Sequence, residues 1–78
     1  MNQADTESDL LELFRMVLGH PVTAAVAREN EARWDSLKHM QLVFSVEEKF
    51  QVQFTEEEIP ALDSFSKFLE HLRRRHVA

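Results

Sequence analysis

The residues of this chain whose types and spacing could do chemistry are Trp34, Asp35, Ser36 and Leu37, at the foot of a long helical pattern. A hydroxyl or carboxylate at a helix start has a structural use, because it caps the helix by accepting a backbone N–H. It also has a chemical one. The helix dipole and the free N–H groups of the first turn favour a phosphate group on or near the hydroxyl. The chain holds its own control, since Asp63-Ser64-Phe65 repeats the pattern at the start of the last helix. Ser64 follows Pro60-Ala61-Leu62, where Leu62 is expected to pack inward, and capping is the expected role there. Ser36 follows a long polar loop, and the exposed arc of its helix continues from it, so its hydroxyl is expected to be accessible. His39 lies one turn further on, but so short a chain offers no cleft to organise a Ser–His dyad. No catalytic residue is expected.

Length and composition bound the rest. The 78 residues, 44% of them hydrophobic, make one domain spanning 1–78. A domain of this size buries only about 60% of the surface its unfolded chain exposes. With no Cys there are no disulfides, thiolate metal sites or Cys nucleophile. One Gly and two Pro argue against a turn-rich all-β fold. A formal charge of −5 argues against nucleic acid and anionic membrane as partners. Between Glu29 and Glu58 there are eight acids (29, 31, 35, 47, 48, 56, 57, 58) and three bases (33, 38, 49), a local net of −5. Such a surface steers proteins with basic docking patches. The polar, acidic start has no leader pattern, no apolar run is long enough to span a bilayer, and a cytoplasmic monomer is expected. The four His share no spacing suited to a metal, and no metal site is expected; His39 is expected as a satisfied core residue.

The elements that must position Ser36 are helical. Leu10, Leu11, Phe14, Val17 and Leu18 share one face of a first helix over about 8–18, with Thr6 and Asp9 as its capping box and Gly19 and Pro21 as its stop. Residues 19–34 form a long connection anchored by Val22, Val26 and Trp34. A second helix runs from 35 or 36 to about 50. Its apolar arc (Leu37, Met40, Leu42, Val43, Phe44, Val46, Phe50) is wide enough to predict the central helix of a bundle, with His39 and Glu47 as polar exceptions. Met40, Phe44 and Phe65 are candidate liners of a pocket, although plain core packing is the expected role for them. Val52 and Phe54 alternate with glutamines and are expected to plug the core from an extended link. Thr55 to Glu58 reads as a capping box opening a very short third helix closed by Pro60. The last helix is expected over about 64–76, with a stripe of Phe65, Phe68, Leu69 and Leu72 and three arginines at its end.

From Trp34 to Leu72 the chain resembles an acyl carrier protein. Asp35-Ser36-Leu37 matches the family's modification motif. Leu42-Val43, Glu47-Glu48, Phe50, Val52 and the acidic short third helix follow at the family's spacing without a gap. A weaker match through the first helix extends the resemblance to nearly the whole chain.

The resemblance implies an all-α fold: a small four-helix bundle with a long loop between the first and second helices. It implies that Ser36 carries 4′-phosphopantetheine, attached by a phosphopantetheinyl transferase from coenzyme A with Mg²⁺. The arm's thiol would hold acyl groups as thioesters, which accounts for a carrier without cysteine, and the chain itself would not be an enzyme. Asp35, Leu37, Glu47 and Glu48 are the docking residues it implies. Carriers of housekeeping fatty acid synthesis usually have Gly or Ala before the motif and more acids early in the second helix. Here Trp34 precedes it and Lys38, His39 and Gln41 follow. A dedicated pathway is therefore expected, for a secondary metabolite, a polyketide or a cell-surface sugar or polymer. Two alternatives stand beside this one. A peptidyl or aminoacyl carrier loaded by an adenylating enzyme would share the fold and the serine. A small helical adaptor with no prosthetic group would use Ser36 only as a cap.

Overall fold

Gly19 and Asp35 mark two of the helix ends around which the chain is built. The computed structural model describes residues 3–75, and these are all-α: α1 (Gln3–Leu18), α2 (Ser36–Phe50) and α3 (Phe65–Arg74), with 3-10 turns at Arg28–Asn30 and Ile59–Ala61. The second turn lies where a very short third helix is expected. Pro60 sits inside it, at a position where a missing N–H is tolerated, and does not close it.

Helix α1 begins earlier than periodicity predicts. Thr6 is no cap; it is fully buried within the helix. Leu10, Leu13, Phe14 and Leu18 form its buried face. The helix stops as expected at Gly19, whose φ of 81° lets its N–H return to the Arg15 carbonyl at 2.9 Å.

The central helix is α1, not α2. Its contacts with both α2 and α3 are the principal packing of the fold. Phe14 makes edge-to-face contacts with Trp34, Phe65 and Phe68 at 5.3–5.4 Å between ring centres. Helix α2 buries only His39, Leu42, Val43 and Val46, while Leu37 and Phe44 are 68% and 61% exposed. Its wide apolar arc thus divides into a core face and a solvent-facing edge.

Helix α3 behaves as its pattern predicts. Ser64 Oγ caps it by accepting the Lys67 N–H at 3.1 Å, and Phe65, Phe68, Leu69 and Leu72 are buried. The expected end at His76 lies outside the described residues. The link after α2 carries Phe54 into the core with Val52 half-buried beside it. The capping box that follows is closed both ways: Thr55 N–H donates to Glu58 Oε1 at 2.8 Å, and Glu58 N–H to Thr55 Oγ1 at 3.2 Å.

The connection between α1 and α2 is fastened at its middle. The Arg28 N–H donates to the Asp63 carbonyl at 2.9 Å and the Phe65 N–H to the Val26 carbonyl at 3.0 Å, around an antiparallel bridge between Ala27 and Ser64. Val22, Val26 and Trp34 are buried, as expected of its anchors.

Candidate functional site

Ser36 is the first residue of α2, and it is exposed. The cap of this helix is Asp35, whose Oδ1 accepts the Lys38 N–H at 2.9 Å. Ser36 is therefore spared that role. At the other Asp-Ser pair the frame is shifted by one: Ser64 itself is the cap, and Asp63 holds Lys67 at 3.1 Å. Which member of the pair caps decides whether the hydroxyl is spent or free for other chemistry.

The residue before this pair is bolted to the core. Trp34 is 2% exposed, and its Nε1–H donates to His39 Nδ1 at 3.0 Å. His39 is also buried, and its Nε2 lies 2.7 Å from the Ile59 carbonyl. The tautomer with hydrogen on Nε2 satisfies both contacts. The pair thus ties together the end of the long connection, the first turn of α2 and the second 3-10 turn. With both ring nitrogens committed, His39 has no lone pair to serve as a base for Ser36.

The neighbour that Ser36 does have is Arg28, whose Nη2 donates to Ser36 Oγ at 3.1 Å. Its turn is held by Asn30, whose Oδ1 accepts the Ala27 N–H at 2.9 Å and whose Nδ2 donates to the Ala25 carbonyl at 3.3 Å. Arg28, Glu29, Pro60 and Asp63 line an open concavity of about 450 Å³.

The expected docking residues divide by what they touch. Leu37 and Glu48 are exposed, and Phe44 is exposed two turns beyond Leu37. Asp35 is the cap of α2. Glu47 is half-buried, and its Oε2 accepts the Phe54 N–H at 2.9 Å, which holds the link after α2. The expected pocket liners separate too, with Phe44 in solvent and Phe65 packed on Phe14.

Electrostatics thin the acidic surface. Glu58 receives both carboxylate contacts from Arg75 at 2.7 Å, and His71 Nδ1 lies 3.2 Å from its Oε2. The Arg75 hydrogen bonds, then the Thr55 backbone N–H, lower its pKa from 4.5 to about 2. Arg75 also lies 5.1 Å from the centre of the Phe54 ring. Among the described residues no group of three or more acids or histidines is placed to hold a metal, and no helix is long and apolar enough to cross a membrane.

Arg28 is the site residue that sequence patterns miss. It lies eight positions before Ser36, in a different element, and no local signal links the two. Comparison with protein-family models, curated proteins and solved structures finds no match to this chain.

Proposed function

We propose that this chain is an acyl carrier, a non-enzymatic protein modified at Ser36 with 4′-phosphopantetheine. The observation that carries the reading is the exposed Ser36 hydroxyl, relieved of capping by Asp35 and met by a cation from Arg28. The resemblance over residues 34–72 points to the same hydroxyl. The three described helices and the turn Ile59–Ala61, with its Thr55–Glu58 cap, are compatible with the four-helix carrier fold that the resemblance implies.

The residues present fit the group. An accessible Oγ at a helix start, with an arginine beside it and open space next to that, suits a phosphodiester. When bound, the arm supplies a thiol that holds acyl groups as thioesters. In the attachment step, Ser36 Oγ bonds to the phosphorus that bears pantetheine in coenzyme A. The phosphoanhydride bond breaks, adenosine 3′,5′-bisphosphate leaves, and the serine proton passes to the transferase. This chain supplies only the hydroxyl and the charge around it, since His39 is committed elsewhere. Leu37, Phe44 and Glu48 form the exposed α2 face available to the transferase and to acyl-processing enzymes with basic patches, while Asp35 and Glu47 shape that face by holding backbone. The Trp34 and Lys38 flanks support a dedicated pathway rather than general fatty acid synthesis.

Incubation with a promiscuous phosphopantetheinyl transferase, coenzyme A and Mg²⁺ should add the mass of one arm to the wild-type chain and none to Ser36→Ala. An unchanged wild-type mass would leave a helical adaptor as the better reading.

A further inference from the structure

Arg28 carries a charge that no carboxylate claims among the described residues. Lys67 holds Asp63, His20 holds Glu31, and Arg73, Arg74 and Arg75 hold Glu7, Glu70 and Glu58. The guanidinium of Arg28 instead faces the Ser36 hydroxyl at 3.1 Å. A neutral hydroxyl is a modest acceptor for such a donor. A phosphate oxygen is roughly twice as strong, and a guanidinium presents two parallel N–H groups to it.

The position of Arg28 does not depend on Ser36. Its backbone N–H is held by the Asp63 carbonyl at 2.9 Å, and its turn is closed by Asn30. The guanidinium borders the concavity that it shares with Glu29, Pro60 and Asp63. Arg28 is the one cationic residue that lines it, next to Glu29 and to an Asp63 already held by Lys67.

We infer that Arg28 is a positioning residue for the phosphodiester on Ser36, pairing with its charged oxygens and holding the root of the arm against the turn Arg28–Asn30. This rests on the reading of Ser36 as the attachment site. The arm would leave the protein on the side of the Arg28 turn, not as a freely swivelling chain.

The test compares thermal midpoints of the unmodified and modified forms of wild type, Arg28→Gln and Arg28→Lys at low ionic strength. Modification should raise the midpoint of wild type and of Arg28→Lys by about 2–5 °C more than that of Arg28→Gln. The difference should shrink in about 0.5 M salt. If Arg28 only braced its loop, the substitution would lower both forms equally, and an equal increment in all three proteins overturns the inference while leaving the attachment reading intact. A wild-type chain that takes no arm overturns both. Should Arg28→Gln fail to fold, the phosphorus-31 resonance of the modified wild-type chain provides the decision. It should move as salt is raised, and a resonance that stays fixed overturns the inference.

Discussion

Trp34 and His39 stack at 24° between ring planes, with the indole Nε1–H on His39 Nδ1 at 3.0 Å and both rings buried. Five residues separate them in sequence, and the contact spans the boundary between the long connection and α2. It places a satisfied polar link among hydrophobic core side chains that are otherwise Leu, Val and Phe, and Ser36 lies in the backbone between its two partners.

Removing one partner leaves the other unpaired in the interior. Trp34→Phe keeps most of the ring volume but strands His39 Nδ1, and should cost about 1–3 kcal/mol. Urea unfolding at neutral pH measures this. A loss below a few tenths of a kcal/mol would mean that water replaces the indole N–H.

Phe14 meets Trp34, Phe65 and Phe68 and is fully buried. Phe14→Ala should cost about 3–5 kcal/mol through the lost transfer energy and the cavity left behind. At about 0.05–0.15 kcal/mol per residue, 78 residues give about 4–12 kcal/mol, so this is a large share of the whole. The thermal midpoint followed by circular dichroism should fall by about 12 °C or more, whereas Met16→Ala, at an exposed position of the same helix, should melt like wild type.

Glu58 sets an acid limb of stability. Its folded pKa lies near 2, below the ordinary glutamate value of 4.5, so the folded state favours the ionised form. The stabilisation is therefore fully present above pH 4.5 and is lost as pH falls from there towards 2. Glu58→Gln should lower stability at pH 7, and the gap to wild type should close across that window. Parallel urea titrations at several pH values test the sign. A gap that widens on acidification would contradict the Arg75 clamp.

Capping and modification are coupled at the start of α2. Asp35→Ala should cost about 1 kcal/mol, as should Ser64→Ala at α3. Ser36→Ala should cost less than either, because its hydroxyl accepts no backbone N–H of the helix. The Asp35 variant carries a second expectation. With the carboxylate gone, the Ser36 hydroxyl becomes the nearest substitute acceptor for the first turn, so transfer of the arm, read by intact mass against time, should slow.

Leu37 offers a test of the exposed face. Leu37→Ser should leave stability within about 0.5 kcal/mol, since the side chain is 68% exposed. The same change should slow loading by the transferase. Unchanged loading kinetics would move docking away from this face.

Much of this arrangement is legible from short-range chemistry. The glycine stop of α1, the Ser64 cap, the Thr55–Glu58 box and the stripe of α3 are all fixed by residues within four positions of one another, and there the patterns read true. The two polar residues that interrupt the apolar arc of α2 were visible as exceptions; His39 and Glu47 turn out to be its hydrogen-bond anchors. What local patterns cannot supply is choice among equivalent environments. Thr6 has the chemistry of a cap and lies inside a helix. Leu37 and Phe44 are as apolar as Leu42 and Val43, yet only tertiary packing decides which of them meet α1. Glu58 counts as surface charge in the sequence and is clamped by an arginine 17 residues away. Arg28 reaches Ser36 only because the loop is stitched to the start of α3, a relation that no periodicity encodes.

That stitch has a dynamic consequence. The Arg28 and Phe65 amides both bond across the Ala27–Ser64 bridge, so neither can meet solvent until the two segments part. Their deuterium uptake should share one opening rate, set by the undocking of α3 rather than by fraying of α2. The ground beside the serine would then stay firm or give way with the docking of α3.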